Sequence, residues 1–180
     1  ESVVPNAAHA AITQFAQRGT TELVITQNID GLHQKAGLIP ELLIEVHGTV
    51  HESFCMRCSH RGPIELIIRR VEQGDLDPAC EHILNGAPCG GVVKAATISF
   101  GQNLITEHLE RADAAARSCD VFIAAGSTLG VYPIAAIVPV AAQAGAKVII
   151  MNGSPTEMDS IADILVPGDL TETLPALLGT

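Results

Sequence analysis

Hydrophobic and polar positions in this chain follow two rhythms. Residues 5–19 have a helical period, with Ala8, Ala11, Ile12 and Phe15 on one face. Pro5 suits a first helical turn and Gly19 a C-terminal cap. Residues 22–26 and 42–46 are short apolar runs ending in polar groups, the pattern of buried strands with polar tips. Residues 98–100 form a third, shorter strand candidate. The second half then alternates: strand 121–125, helix 133–144, strand 147–151, strand 164–166 and a closing helix 171–178. Strands alternating with helices predict an α/β architecture, a parallel sheet covered on both faces. Such sheets bind ligands at the carboxyl ends of their strands. Polar tips gather there: Gln27-Asn28, His47, Gly126-Ser127-Thr128 and Asn152-Gly153.

Between residues 51 and 93 the rhythm breaks. Four of the five cysteines lie in this stretch, near loops, around a helix candidate at 63–73. It reads as an inserted module and not as sheet. The predicted organisation is therefore one α/β domain, 1–50 and 96–180, interrupted by a small module at 51–95.

Composition narrows the function classes. A chain of 180 residues suits one sizeable domain with a small insertion, and 47% apolar residues supply a core. Twenty acidic against ten basic residues give a formal charge of -10, with no Lys/Arg cluster for a phosphate backbone. Aromatic residues are 3% and tryptophan is absent, so a base-stacking platform is excluded too. No nucleic-acid partner is expected. The uncharged stretch 121–146 contains Gly126, Gly130, Pro133, Pro139 and Gly145, and reads as strand–turn–helix instead of a membrane span. No membrane partner is expected. Residues 1–6 carry neither the basic nor the apolar region of a signal peptide. Sparse cysteines point to a reducing, cytoplasmic compartment.

The chemistry lies in a few clusters. Cys55-Met56-Arg57-Cys58 is a C-x-x-C knuckle, and Cys80 and Cys89 follow at zinc-ribbon distance. Four thiolates at about 2.3 Å from Zn²⁺ leave no position for water, so the site would be structural. Eight residues separate Cys80 from Cys89, which leaves His82 open as the fourth ligand, with His60 near the first pair. Cys119 reads as a core cysteine. Residues 26–33, Thr-Gln-Asn-Ile-Asp-Gly-Leu-His, follow a buried strand. Their amides suit a carboxamide or ribose ligand, and Asp30 can accept from an amide NH₂; a self-closed Asx turn is the alternative. His47, at a strand tip before Gly48, is a candidate base. His33 and His51 compete with it, while His9, His60, His82 and His108 read as surface or module residues. Gly126-Ser127-Thr128-Leu129-Gly130 joins a strand to a helix, where backbone can approach a phosphate. It is not a Walker loop, and the chain has no Gly-x-Gly-x-x-Gly.

Taken in order, PNAAH at 5–9, TQNIDGLHQKAG at 26–37, EVHG at 45–48, CMRC at 55–58, CGG at 89–91, ISFGQ at 98–102, GSTL at 126–129 and Asn152 resemble the sirtuins, NAD-dependent protein-lysine deacylases. The resemblance implies a Rossmann-like parallel sheet with helices on both faces and a small inserted zinc-binding module. By matching position, His47 is expected to be the general base on a nicotinamide-ribose hydroxyl, with Asn28 the other catalytic residue. Gln27, Asn28, Ile29 and Asp30 would surround that ribose and the nicotinamide. Gly126, Ser127 and Thr128 match the family's Gly-Thr-Ser, the two hydroxyl residues exchanged. Asn152 would face the adenosine ribose, and Leu170, in Asp169-Leu170, the adenine. Cys55, Cys58, Cys80 and Cys89 match the ligands of a structural Zn²⁺.

The implied reaction consumes NAD as co-substrate and converts acyl-lysine, acetyl foremost, to lysine, nicotinamide and O-acyl-ADP-ribose. The implied partners are acylated-lysine proteins, bound as an added strand beside Phe100-Gly101. Upstream of the Pro-Asn-x-x-His helix the family carries a strand, a Gly-Ala-Gly-x-Ser loop and a Pro-Asp-Phe-Arg segment that these 180 residues do not include. Glu1 is therefore not expected to be a natural start. That departure keeps two alternatives open: a catalytically silent, zinc-stabilised module, or protein ADP-ribosyl transfer from the same pocket.

Overall fold

The computed structural model describes residues 3–180; Glu1 and Ser2, on which the reading of the chain's start falls, lie outside the described residues. The strands in chain order are β1 Val24–Thr26, β2 Leu43–Glu45, β3 Gly48–Cys55, β4 Arg61–Pro63 and β5 Ile83–Leu84. They continue as β6 Ala87–Pro88, β7 Val93–Thr97, β8 Val121–Ala125, β9 Lys147–Asn152 and β10 Ile164–Pro167. The α-helices are α1 Ala7–Ala16, α2 Leu32–Lys35, α3 Ile64–Glu72, α4 Thr106–Ser118, α5 Ile137–Ala144 and α6 Leu170–Leu178. The chain divides into two units. One comprises Glu1–Ile25, Leu32–Val46 and Leu104–Thr180; the other comprises Thr26–Gly31 and His47–Asn103.

In the first unit, β10, β9 and β8 form a parallel sheet in that order, with Val121 opposite Lys147 and Ile164 opposite Ile149. Side chains alternate across it. Val148, Ile150 and Ala124 pack with Val138 and Leu129. Ile149 and Met151 pack with Ala8, Ala11, Leu174 and Leu178 from α1 and α6. Both faces are thus covered, which is why β9 reads as an unbroken apolar run. β1 and β2 pair as a second sheet, and Ile44 and Val46 pack with Ala112 and Ile134. No helix among the described residues is long and apolar enough to cross a membrane.

Helix ends explain where the periodicity stops. Asn6, not Pro5, opens α1: its side chain accepts the His9 amide at 3.2 Å, and the His9 ring accepts the Asn6 amide. Pro5 precedes this reciprocal cap. Asn6→Ala is expected to lower unfolding stability by about 1 kcal/mol, measured by urea denaturation. At the far end of the unit, the Arg18 guanidinium donates to the carbonyls of Leu178 at 2.8 Å and Gly179 at 2.7 Å, satisfying the last turn of α6. Asp169 caps the start of α6 through the Thr171 amide at 2.7 Å, which holds its carboxyl below the usual range. The expected helix at 133–144 begins as a 3₁₀ turn, Ile134–Ala136, before α5.

The second unit departs most from the sequence reading. The stretch after residue 51 was expected to lack sheet, yet β3 pairs antiparallel with β4 on one side and β7 on the other. The buried positions of β3 include Thr49 and Ser53, so its alternation does not register as hydrophobic periodicity. Residues 98–100 are not a strand either. The strand is β7, ending at Thr97, and the following turn is closed by Gln102, whose side chain accepts the Ser99 amide at 2.9 Å. Phe100 projects from that turn 98% exposed. Local turn bonding there outweighs a three-residue apolar run.

Candidate functional site

The second unit holds the segment Thr26–Gly31 and the histidine that follows β2. Thr26 Oγ1 accepts the Asn28 amide at 3.1 Å, an ST turn that bends the chain after β1. His47 Nδ1 lies 3.1 Å from the Gln27 carbonyl oxygen. A carbonyl only accepts, so Nδ1 carries a proton, and in the neutral ring the lone pair is on Nε2. That is the tautomer a general base needs. Gly48 follows with φ of +75°, and a Cβ there would collide with the Ala96 carbonyl oxygen. Glycine thus lets the chain turn from His47 into β3 against β7.

The competing histidines are differently placed. His33 is buried on the short α2, its ring 4.9 Å from that of His9. His51 is exposed, and its Nε2 donates to the Asp30 carbonyl at 2.7 Å. Among the 27–30 residues, Asn28 is exposed and Gln27, Ile29 and Asp30 are half-buried.

The remaining nucleotide candidates lie in the first unit, at the carboxyl ends of its parallel strands. Gly126 follows β8 with φ of +67°, and a Cβ on it would lie 2.7 Å from a Leu170 methyl. Leu170 therefore packs on bare backbone at Gly126. Ser127 Oγ accepts the Leu129 amide at 3.1 Å, and Thr128 next to it is exposed. Asn152 ends β9, with its side-chain amide donating to the Ser154 carbonyl at 2.8 Å. Its own carbonyl accepts from Gly168 at 3.3 Å, the residue two before Leu170. Gly126, Asn152 and Leu170 are thus tied together at one end of the sheet, with small and polar groups around exposed backbone.

The four sequence-predicted cysteines converge. Their Sγ atoms all lie within 4.8 Å of one another. The Cys55–Cys89 and Cys58–Cys80 sulfurs are each 3.7 Å apart. A tetrahedron with Zn–S of about 2.3 Å has edges of about 3.8 Å, so the donor set fits Zn²⁺. The long spacer is accounted for by a hairpin: β5 and β6 pair antiparallel and return Cys89 to Cys80, with Cys89 N bonded to the His82 carbonyl at 2.8 Å. His82 itself stacks on His60, ring centroids 4.3 Å apart, and is no member of the thiol cluster.

The thiols differ in acidity. Backbone amides of the knuckle, that of Cys58 foremost, draw Cys55 down to about 6. Burial pushes Cys80 up to about 12 and also raises Cys89. A bound cation would displace the protons that burial keeps on Cys80 and Cys89. Two supporting residues escape sequence reasoning. Arg57 donates to the Cys89 carbonyl at 2.6 Å, and Gly91 lies so close that a Cβ would stand 2.8 Å from Cys55 Sγ. The Cys-Gly-Gly run was the available signal for the second.

Comparison with known proteins agrees with this arrangement. Residues 1–133 match the profile of the Sir2 family. The chain belongs to the Sir2 family. NAD-dependent protein deacetylase 2 of Streptomyces coelicolor is 41% identical over 174 residues, covering 97% of this chain and 70% of the relative. NAD-dependent protein deacetylase 1 of Bradyrhizobium diazoefficiens is also 41% identical, covering 97% of this chain and 66% of the relative. This Sir2-family chain therefore spans about two thirds of the length of these curated relatives, 70% and 66%. A solved structure described as "Sir2-p53 peptide-NAD+" superposes with a TM-score of 0.88 at 33% identity, covering 98% of this chain and 70% of that one. The Sir2 fold, a Rossmann-like α/β sheet, is accordingly the fold of this chain, with a cysteine cluster suited to zinc.

Proposed function

We propose that this Sir2-family protein removes acyl groups, acetyl foremost, from protein lysines with NAD as co-substrate. The observation that carries the reading is the His47 contact: Nδ1 lies 3.1 Å from the Gln27 carbonyl oxygen, which leaves Nε2 of the neutral ring available as base beside the 27–30 segment. The names of the two relatives, both NAD-dependent protein deacetylases, and the peptide and NAD⁺ of the solved Sir2 structure support it. NAD would supply the electrophilic ribose carbon and the hydroxyl that becomes the acyl acceptor.

The chain's own residues divide the remaining work. His47 Nε2 takes the proton of a ribose hydroxyl, while the Gln27 carbonyl holds Nδ1–H and stabilises the imidazolium. Asn28, exposed on the same segment, orients the reacting ribose, and Gln27, Ile29 and Asp30 contact the ribose and nicotinamide. In the first unit, Gly126, Ser127 and Thr128 bind phosphate or ribose oxygens, Asn152 the adenosine ribose, and Leu170 the adenine. Zn²⁺ on Cys55, Cys58, Cys80 and Cys89 is structural and cross-links the 51–95 module. The acylated segment adds as a strand near the exposed Phe100. Four zinc-binding thiols suit a reducing, cytoplasmic setting.

The test uses the protein expressed from its complete gene, zinc-loaded, with NAD and an acetyl-lysine peptide. Mass spectrometry should find one O-acetyl-ADP-ribose for each lysine freed. No NAD consumption, or ADP-ribose transferred to protein with the peptide left acetylated, would reject the reading.

A further inference from the structure

A second histidine acts on the segment that His47 touches. Three carbonyls of the segment are held by residues 47–51. Gln27 O meets His47 Nδ1 at 3.1 Å, Ile29 O accepts the Val50 amide at 3.0 Å, and Asp30 O accepts from His51 Nε2 at 2.7 Å. His47 sits in the turn before β3 and His51 within β3, and the hydrogen bonds bring both rings to the same loop. The His51 ring also lies against Gly31. A Cβ at Gly31 would stand 2.7 Å from its Cδ2 and 2.8 Å from its Nε2, and the φ of Gly31 is +66°. His51 is exposed, so apolar burial does not account for its placement. Its two contacts, one donated proton and one face of backbone, both restrain the loop.

We infer that His51 is a positioning residue that braces residues 27–31 in the geometry that receives the nicotinamide-ribose end of NAD. The inference rests on the deacetylase reading for its ligand, but the brace is a property of the protein alone. Without it, the loop spends only a fraction of its time in the receiving geometry. Apparent affinity falls by that fraction, whereas chemistry in the complex, once formed, is untouched. The signature is therefore a rise in KM for NAD with kcat retained. One neutral hydrogen bond corresponds to about a three- to tenfold effect.

Three variants of the zinc-loaded protein separate the contacts. His51→Ala removes ring and donor, His51→Phe keeps a ring without a donor, and His51→Gln restores a donor at similar reach. Expected are KM values for NAD raised about three- to tenfold in Ala and Phe, with kcat within about twofold of the parent and Gln returning toward the parent. Amide hydrogen exchange without NAD should show the Val50 amide, which donates to the Ile29 carbonyl, and the Asn28 amide, which donates to Thr26 Oγ1, exchanging faster in Ala and Phe and restored in Gln. Parent-like KM and exchange in Phe, or a Gln variant as impaired as Phe, would overturn the brace; so would an equal loss in kcat. If the parent consumes no NAD, the deacetylase reading fails, and the exchange data alone decide the brace.

Discussion

His47→Ala is expected to abolish NAD-dependent deacetylation, lowering kcat by about 10²- to 10⁴-fold, the range a positioned general base supplies. The physical basis is the single bond from Nδ1 to the Gln27 carbonyl, 3.1 Å long. It holds the ring in place and puts the lone pair on Nε2. Alanine removes the base and the tie to the loop together, so a second variant is needed. His47→Asn places an amide donor near the position of Nδ1 and offers no base. If proton abstraction is the role of His47, Asn should retain NAD binding, measured by calorimetry, and still lack turnover. Restored turnover in Asn would make the histidine a structural tie only. The Val50 and Asn28 amides should keep their exchange protection in Asn, because they donate to the Ile29 carbonyl and to Thr26 Oγ1, and His51 still holds the Asp30 carbonyl.

Loss of the metal should have the largest structural effect. Metal analysis of the protein is expected to find one Zn²⁺ per chain, retained by His82→Ala and lost in Cys80→Ser. Cys80 sits in the sulfur cluster, whereas the His82 ring is stacked on His60. The module has little else to hold it. Its buried cluster is Cys55, Cys80 and Cys89, with Cys58 and Val93 against it, and α3 has no buried residue. Chelation should therefore open the second unit, seen as fast amide exchange across β3 and α3, while α1 and β9 of the first unit remain protected.

The acidity of the thiols fixes the direction of the pH dependence. Burial raises Cys80 to about 12 and raises Cys89, so without a cation both hold their protons at neutral pH. Zinc binding must displace those protons. Apparent zinc affinity should then rise with pH and fall on acidification, checked by competition titration at two pH values. A zinc affinity independent of pH, or full zinc in Cys80→Ser, would contradict the assignment.

Legibility in the sequence followed the physics of each element. β8 and β9 were visible because helices cover both faces of the parallel sheet, and unbroken apolar runs result; α6 was visible through Leu174 and Leu178, one helical turn apart on its buried side. β3 was not, because its buried positions include Thr49 and Ser53, polar groups that a hydropathy pattern counts as exposed. The strand expected at 98–100 lay instead at Val93–Thr97, since the Gln102 side chain closes a turn that apolar content does not register. His47 stood out through its motif, His51 only as its rival. Nothing in residue type could show that one ring leaves Nε2 available while the other donates from it.

By itself the sequence determined the family pattern, the α/β class and the identity of the candidate groups, because these depend on residue type and order along the chain. Tertiary structure decided which groups meet. The Cys80–Cys89 spacer becomes a ligand pair only through the β5–β6 hairpin. The His47 tautomer depends on a carbonyl 20 residues away. Both are long-range contacts, and their geometry is set by backbone pairing that no local pattern encodes.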